Sequence, residues 1–380
     1  GVALSLVSCG AESAPGSAPG APAVAFTTDT LPDSLLAALH ARISEEGGYF
    51  DTDNLISNET GYLNVVGALE RLGLSGGAYV GVGPDQNFSY MAELRPEIAF
   101  ITDVRRDNVL HHLLLKALVE RAPTRVEFLA GLHGRPAPDD PGAWVERSAE
   151  DVVAWVDARP ADPATVEALR DEVERAVRGY GIPLSEEDLA AIGAFHDTFI
   201  RAGLDLRFTS HGRAPRPYYP TYRELILETD ADGGPASYLT SAERYRVVRE
   251  LQLANRVVPV VGDLAGSHAL EEMGRVMREM GVELTAVYAS NVEFYLWRDG
   301  SFARWIRNLA SMPVDRDAVV IRSYFPNLGR HPSALPGYYA TQLLQPVATV
   351  VRAAAGAGFE SYADLVTRDL IELRVPAGTR

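Results

Sequence analysis

Four hydrophobic runs of this 380-residue sequence end in residues that could hold a small molecule. The first ends in Gly81-Val82-Gly83, the second in Asp103, the third in Gly262-Asp263 and the fourth in Ser290-Asn291. Glycines let the main chain approach a ligand closely, and carboxylates and amides hydrogen-bond to hydroxyl and amino groups. Because ligands of open parallel sheets bind beyond the carboxyl ends of the strands, we expect these four tips to surround one cavity.

The spacing of the first two tips suits a nucleoside. Gly81 and Gly83 fit a G-x-G turn between a strand and a helix, and Asp103 follows after about 20 residues, where a carboxylate accepts both hydroxyls of a ribose. A tight turn without a ligand is the alternative for the glycines. The alternative for Asp103 is a helix cap or an ion-pair partner for Arg105 or Arg106.

A second polar cluster lies between Asp51 and Glu59, and it contains more polar side chains than a helix cap requires. We expect Asp53, Asn54, Asn58 and Glu59 to bind the substrate; the alternative is a solvated turn.

The fourth tip offers candidates for catalysis. We expect Glu293, two residues after Asn291, to act as a general base or to orient a polar substrate together with Asn291. The alternative is that Glu293 pairs with Arg322 or Arg298.

Strands and helices alternate around these tips, which predicts an α/β doubly wound, mostly parallel sheet with a helical insertion. Pro259 is unexpected in a central strand, where it removes a ladder donor, and it predicts the start of a strand or a bulge. The five predicted strands are Ala78–Gly81, Ile98–Asp103, Val257–Asp263, Leu284–Asn291 and Ala318–Ser323.

Two parts of one Rossmann-like domain are predicted, at residues 26–122 and 241–380. Residues 123–240 between them break the strand–helix alternation, and they predict a mostly helical insertion that covers the sheet as a lid. Within it, Trp144–Tyr180 is typical of one charged helical segment.

The first 25 residues predict a truncated lipoprotein signal followed by a flexible tether. Leu6-Val7-Ser8-Cys9 resembles a bacterial lipobox, in which Cys9 is lipidated, and the Ala/Pro/Gly/Ser-rich residues after it suit a linker. This predicts a lipid-anchored protein of the bacterial cell envelope that meets the membrane only through Cys9; a cytoplasmic protein is the alternative. Cys9 is the only cysteine, which excludes an intramolecular disulfide and a cysteine-based zinc site.

Charge and motifs exclude several functional classes. A net charge of −16 and a pI near 5.0 argue against nucleic acid as a partner and leave a small-molecule ligand. Neither a G-x-S-x-G elbow nor a P-loop occurs. His268, Glu271 and Glu272 are weak as a metal site, and no metal is predicted.

The motifs resemble those of the class I S-adenosylmethionine-dependent methyltransferase superfamily, over roughly Leu74 to Phe325 without the insertion. Gly77–Asp85 is similar to the glycine-rich first motif, Asp103 to the acidic second motif, Asp263 to the acidic residue after the third strand and Ser290-Asn291 to the loop after the fourth. The resemblance implies contacts with the methionine moiety, the ribose, the adenine and the transferring methyl group, respectively.

This sequence departs from that family at two positions. Tyr79 stands where an acid is usual, and Asp85 stands at the third glycine position. We expect Asp85 to bind the cofactor, since a carboxylate there suits a cationic sulfonium or a metal and repels a pyrophosphate, which disfavours a dinucleotide. The chain also resembles an uncharacterised bacterial lipoprotein-like family that carries the Ser290–Glu293 segment.

Three functions therefore remain open. The first is a methyltransferase-like protein that binds S-adenosylmethionine at the strand ends and transfers a methyl group to an acceptor. The second is an envelope-anchored small-molecule-binding or accessory lipoprotein without methyl transfer, and the third is a metal-assisted hydrolase. Fold alone does not choose among them.

Overall fold

A six-stranded sheet forms the centre of the molecule, as seen in a computed structural model that describes residues 30–211, 213, 216–356 and 358–374. The strand order is β3-β2-β1-β4-β5-β6. Helices flank the sheet, which confirms the predicted α/β doubly wound fold. The strands are β1 Ala78–Val82, β2 Ile98–Asp103, β3 Val257–Val261, β4 Leu284–Ser290, β5 Val314–Tyr324 and β6 Thr341–Pro346.

Strands β1 to β5 are parallel, and the chain order reverses between β1 and β4. Every residue of β1 and β3 is buried, as expected for apolar strands that are covered on both faces. In such a sheet the crevice at the reversal point is the usual place for a ligand.

Pro259 lies in an edge strand, which differs from the predicted strand start or bulge. It pairs with Ile101 in the middle of β3, and β3 has a sheet neighbour on one side only. The missing N–H therefore costs no ladder bond, since prolines are tolerated where the N–H side faces away from a neighbour. The Pro259 carbonyl accepts a hydrogen bond from His40 Nδ1 at 2.7 Å.

The sixth strand is absent from the sequence prediction. β6 runs antiparallel to β5 at the other edge of the sheet, and β5 itself begins at Val314 rather than at Ala318. The polar residues Gln342 and Gln345 interrupt the apolar pattern of β6, although both are buried. Their amides are satisfied by side chains and carbonyls of the neighbouring segments, which allows a polar sequence to form a buried edge strand.

The helices cover both faces of the sheet. In chain order they are α1 Asp33–Ile43, α2 Val66–Leu72, α3 Gln86–Leu94, α4 Arg106–Arg121, α5 Arg125–Leu132, α6 Ala149–Asp157, α7 Pro163–Gly179, α8 Glu186–Ala202, α9 Tyr222–Leu227, α10 Ala242–Leu253, α11 Ala269–Met280, α12 Val292–Asp299, α13 Phe302–Ser311, α14 Val347–Ala355 and α15 Tyr362–Leu365. Within the described residues, no helix combines the length and apolarity that a bilayer span requires.

Helices α5 to α9 lie between β2 and β3 in the chain, where a mostly helical insertion is predicted. The predicted single helical segment Trp144–Tyr180 is wrong in detail, because α6 ends at Asp157 and α7 begins at Pro163. Pro160 and Pro163 break the helix, and Asp162 caps α7 by accepting from the Thr165 N–H at 2.8 Å. Helices α7 and α8 pack against α4, so the insertion is part of the same body as the sheet.

Candidate functional site

The carboxyl ends of five strands surround one cavity of about 730 Å³. Pockets of ~300–1,000 Å³ are typical for small-molecule ligands. All four predicted tips reach this cavity, so the expected convergence is present. The sheet contributes Val82, Gly83, Asp103, Gly262, Asp263, Ser290, Asn291, Ser323 and Tyr324 to its wall.

The two glycines of the first turn have different roles. Gly83 lines the cavity with a left-handed φ of +83°, a conformation that favours glycine. Gly81 lies beneath the turn, where an added Cβ would meet Asn87 Oδ1 at 1.9 Å. The Asn87 amide donates to the carbonyls of Val82 and Pro84 at 2.9 and 2.7 Å, so Gly81 makes room for the side chain that holds the turn.

Asp103 lies at the cavity wall and pairs with Arg105. Arg105 Nε donates to Oδ1 at 3.0 Å and Nη2 donates to Oδ2 at 2.7 Å, and the Arg105 main-chain N–H also donates to Oδ1. Each carboxylate oxygen accepts about two hydrogen bonds. Oδ1 is therefore saturated, and Oδ2 has room for one further donor, so Asp103 can accept one ribose hydroxyl rather than the expected two.

Asp263 reaches the cavity at the tip of β3 and is half-buried. Its Oδ1 accepts from the Ala265 N–H at 2.8 Å, and its own N–H donates to Glu45 Oε1 at 2.7 Å. Glu45 also accepts from the Ala269 N–H at the start of α11, where a carboxylate is favourable for the helix dipole. Glu45 thus fixes the tip of β3, a role that no sequence motif indicated.

The polar stretch before α2 lies over the strand tips and brings three of its four predicted residues to the cavity. Asn54, Asn58 and Glu59 line it, and Asn54 has a left-handed φ of +51°. Asp53 does not line the cavity, because its carboxylate accepts from the main-chain N–H and hydroxyl of Thr209 in the insertion. Asp53 therefore ties the stretch to the insertion.

Glu59 is the centre of a buried polar network at the cavity floor. Its side chain is 1% exposed, and it accepts hydrogen bonds from Tyr288 at 2.5 Å, from Gln342 Nε2 at 3.3 Å and from the hydroxyls of Ser290 and Ser323. Burial, and to a smaller extent the nearby Glu59 carboxylate, raises the pKa of Tyr288 well above its ordinary value. Strands β4, β5 and β6 therefore all meet at this carboxylate.

Asp85 does not reach the main cavity, contrary to the expectation that it binds the cofactor. Its carboxylate accepts from Tyr222 at 2.7 Å and from Tyr238 at 3.0 Å beneath the first turn. Burial raises the pKa of Asp85 to about 6. The inference that Asp85 repels a pyrophosphate therefore loses its basis, since Asp85 is buried outside the cavity and its carboxylate accepts hydrogen bonds from two tyrosines.

Glu293 is also away from the cavity, and its carboxylate is committed to a structural pair. Arg322 Nε and Nη2 donate to it, the latter at 3.2 Å, and Trp305 Nε1 donates at 3.0 Å. Both charged side chains are 1% exposed. The alternative reading, a partner for Arg322, is therefore the one that the geometry supports, while Asn291 does line the cavity.

Aromatic side chains form much of the remaining wall, and the sequence motifs did not reveal them. They come from distant segments without a common period, and the insertion contributes two of them, together with Arg216, to the cavity wall. The rings are Tyr49, Phe50, Phe208, Tyr219, Phe294, Tyr295, Tyr324, Phe325, Tyr339 and Tyr362.

The charges at the cavity are unbalanced towards acid. Among the described residues that line it, five are acidic and three are arginines. Arg105 is neutralised by Asp103, and Arg213 pairs with Asp51 at 2.8 Å. The cavity therefore favours a cationic ligand over a polyanion.

In the described part of the chain, no group of three histidine, cysteine or acidic side chains is arranged to hold a metal ion. His268 instead bonds to the Arg42 carbonyl at 2.8 Å, and Glu271 and Glu272 pair with Arg275. Cys9, the predicted lipidation site, lies outside the described residues.

Comparison with known proteins gives a family and no activity. No curated protein matches the sequence. The model of a domain of unknown function, DUF7790, matches residues 55–182 and 186–364, which include all six strands and the cavity floor. Since this match extends over most of the sequence, the chain belongs to the DUF7790 family.

Proposed function

We propose that this chain binds S-adenosylmethionine across the tips of β1 to β4 and transfers its methyl group to a small-molecule acceptor. The observation that carries the proposal is the convergence of Gly83, Asp103, Asp263 and Asn291 on one cavity of suitable size. These are the positions at which the motif resemblance implies ligand contacts. When bound, S-adenosylmethionine supplies an electrophilic methyl group on a sulfonium.

The residues present fit such a ligand with one adjustment. Gly83 puts no side chain between its main chain and the cavity, although its carbonyl is already hydrogen-bonded to His112 and Asn87, and Asp103 Oδ2 retains room for one hydroxyl donor. Asp263 offers a half-buried carboxylate to an amino group. The site differs from the expected one in that the Arg105 guanidinium donates to both oxygens of the Asp103 carboxylate. Another group must therefore bind the second ribose hydroxyl.

The excess of acidic residues at the cavity also supports the proposal, although these acids are not the one that the sequence predicted, Asp85. The acidic excess comes from Glu59, Asp263 and Asp299, while Asp85 does not line the cavity and accepts hydrogen bonds from two tyrosines. A sulfonium gains from this field, whereas a dinucleotide pyrophosphate would be repelled.

Thermal unfolding in the presence of S-adenosylmethionine and of S-adenosylhomocysteine tests the proposal. Ligand that binds only the folded chain raises Tm as its concentration increases. We expect both compounds to stabilise the wild type, and we expect Asp263→Asn to reduce the shift. Asp171→Asn on the exposed face of α7 is the matched control and should retain the full shift. No shift with either compound would refute adenosyl binding.

A second proposal follows from the N-terminal segment, namely an envelope-anchored binding protein without methyl transfer. The lipobox-like Leu6–Cys9 and the tether after it favour this reading. In that compartment the cavity would bind another cationic small molecule, since S-adenosylmethionine is a cytoplasmic metabolite. Incorporation of labelled palmitate into the full-length protein, lost in Cys9→Ser, would support the anchor; unchanged incorporation would refute it.

A further inference from the structure

The cavity has a second half beyond the proposed adenosyl site. Its floor consists of Glu59 together with Ser290 at the end of β4 and Ser323 near the end of β5. Strand β5 lies two positions from β1 in the sheet, which is about 10 Å at the usual strand spacing. A nucleoside at the tips of β1 to β3, whose methyl group reaches Asn291 after β4, therefore leaves this floor, next to that methyl group, for a different chemical group.

The floor offers hydrogen-bond acceptors and few donors. Ser290 has one hydroxyl proton, and it points to the charged Glu59 carboxylate, which is nearer than the alternative acceptor Asn291 Oδ1 at 3.4 Å. The Ser323 proton likewise goes to Glu59, and the Ser323 oxygen accepts from Gln342 Nε2 at 2.7 Å. With both protons committed, the remaining lone pairs of the two hydroxyls can only accept.

The charge beneath these hydroxyls has no cationic partner among the described residues. All four donors to Glu59 are neutral groups, namely three hydroxyls and one amide. Arg105 and Arg322 are each paired with another acid, and Arg216 is exposed at the outer edge of the cavity. An uncompensated buried carboxylate is unfavourable, and a cation delivered by a ligand would relieve that cost.

Apolar surface adjoins the floor on the same side. The Tyr339 N–H donates to Thr60 Oγ1 at 2.6 Å, which places Tyr339 beside the residue that follows Glu59. The Tyr339 ring lies 5.6 Å from that of Phe325, and both rings line the cavity. Such rings pack against alkyl chains and attract cations over their faces.

We propose that Glu59, Ser290 and Ser323 form a subsite for the protonated amino group of a second small molecule, an alkylamine whose carbon chain packs on Phe325 and Tyr339. An alkylammonium group donates three hydrogen bonds and carries the positive charge that this floor lacks. Amine binding stands independently of the adenosyl ligand, whereas the identification of this second molecule as the methyl acceptor, through an atom other than the protonated nitrogen, rests on the proposed function.

Calorimetric titration with n-butylammonium chloride and with its neutral counterpart n-butanol tests the subsite. We expect saturable binding of the ammonium to the wild type and binding of the alcohol weaker by about tenfold or more, a difference of about 1.4 kcal/mol. Failure of the ammonium to bind, or equal binding of the two probes, would overturn the proposal.

Two variants separate the floor from general folding effects. Glu59→Gln removes the charge and should weaken ammonium binding by about tenfold or more. Ser290→Ala keeps that charge, deletes one acceptor and should weaken binding by a smaller factor. Glu167→Gln makes the same change as Glu59→Gln at an exposed site on α7 and should bind like the wild type. Undiminished binding by folded Ser290→Ala and Glu59→Gln would overturn the proposal.

Titration in the presence of S-adenosylhomocysteine assigns the amine to a separate molecule. We expect butylammonium to bind equally well with and without that compound. Displacement by it would mean that the floor holds the amino group of the adenosyl ligand, which would overturn the second-ligand proposal. Ammonium binding by a protein that does not bind S-adenosylhomocysteine would uphold the subsite and refute only the proposed function.

Discussion

Arg105 and Asp103 form a two-point ion pair at the carboxyl end of β2, and the same guanidinium donates to the Thr52 carbonyl at 2.7 Å. The pair therefore joins the sheet to the polar stretch that carries Asn54, Asn58 and Glu59. The side chain of Arg105 is 6% exposed and that of Asp103 is 12% exposed. Arg105 thus fixes the orientation of the Asp103 carboxylate and also holds the polar stretch before α2 against the sheet.

Arg105→Ala should destabilise the protein by about 3 kcal/mol, because removal of one partner leaves a buried carboxylate and an unsatisfied carbonyl. Urea unfolding measures the change. Arg246→Ala is the matched control, since Arg246 pairs with Glu250 on an exposed face of α10 and should cost less than about 1 kcal/mol. Equal effects of the two substitutions would contradict a structural role for the Arg105 pair.

Glu293→Gln distinguishes the structural role of Glu293 from the catalytic one. Loss of charge opposite the buried Arg322 should lower the free energy of unfolding by about 3–5 kcal/mol. Adenosyl-ligand binding by the folded fraction should match the wild type, since Glu293 does not line the cavity. Wild-type stability in urea combined with loss of methyl transfer would restore Glu293 as a catalytic residue.

Glu228 makes stability depend on pH. Burial raises its pKa from the ordinary 4.5 to about 8, so the protonated form favours the fold. This contribution is fully present below about pH 4.5 and is lost as the pH rises through 8. Between about pH 7 and pH 9, Tm should fall more in the wild type than in Glu228→Gln.

Asp85, His112 and His133 titrate below that interval. Burial raises the pKa of Asp85 to about 6, and burial lowers those of His112 and His133 to about 4 and 3. The histidines act in the opposite direction, since their stabilisation is present above the ordinary 6.5 and is lost as the pH falls towards 4 and 3. Parallel Tm curves for the wild type and Glu228→Gln would show that Glu228 is not the titrating group.

Gly81→Ala should destabilise the first turn although Gly81 does not line the cavity. The new methyl group would meet Asn87 Oδ1 and the Tyr79 hydroxyl, which must move apart at a cost of about 1–3 kcal/mol. In Gly179→Ala, by contrast, the methyl group enters open space at the end of α7. Chemical denaturation of both variants makes the comparison, and an unchanged midpoint for Gly81→Ala would contradict the packing.

Local patterns were enough to predict the strand tips, because apolar β-branched runs followed by Gly83, Asp103, Asp263 and Asn291 carry their own signal. Local patterns were not enough to predict that Glu59 lines the cavity whereas Glu293 forms a structural ion pair. Both are acids beside a predicted polar segment, and only tertiary packing places Arg322 against Glu293 and three hydroxyls against Glu59.

The features that the sequence did not predict also depend on long-range packing. β6 forms because buried partners satisfy Gln342 and Gln345, which a local pattern does not contain. Pro259 fits because β3 is an edge strand, which depends on strand order rather than on the residues of β3. The aromatic wall of the cavity is likewise assembled from segments far apart in the chain.

Calorimetric titration of S-adenosylhomocysteine into wild-type protein and into Gly83→Val tests the central claim most directly. Valine at the left-handed Gly83 strains the turn and puts a branched side chain at the wall of the cavity. We predict one molecule bound per chain in the wild type and at least about tenfold weaker binding in folded Gly83→Val. No measurable heat of binding in the wild type, or equal affinity in the two proteins, would contradict an adenosyl site at these strand ends.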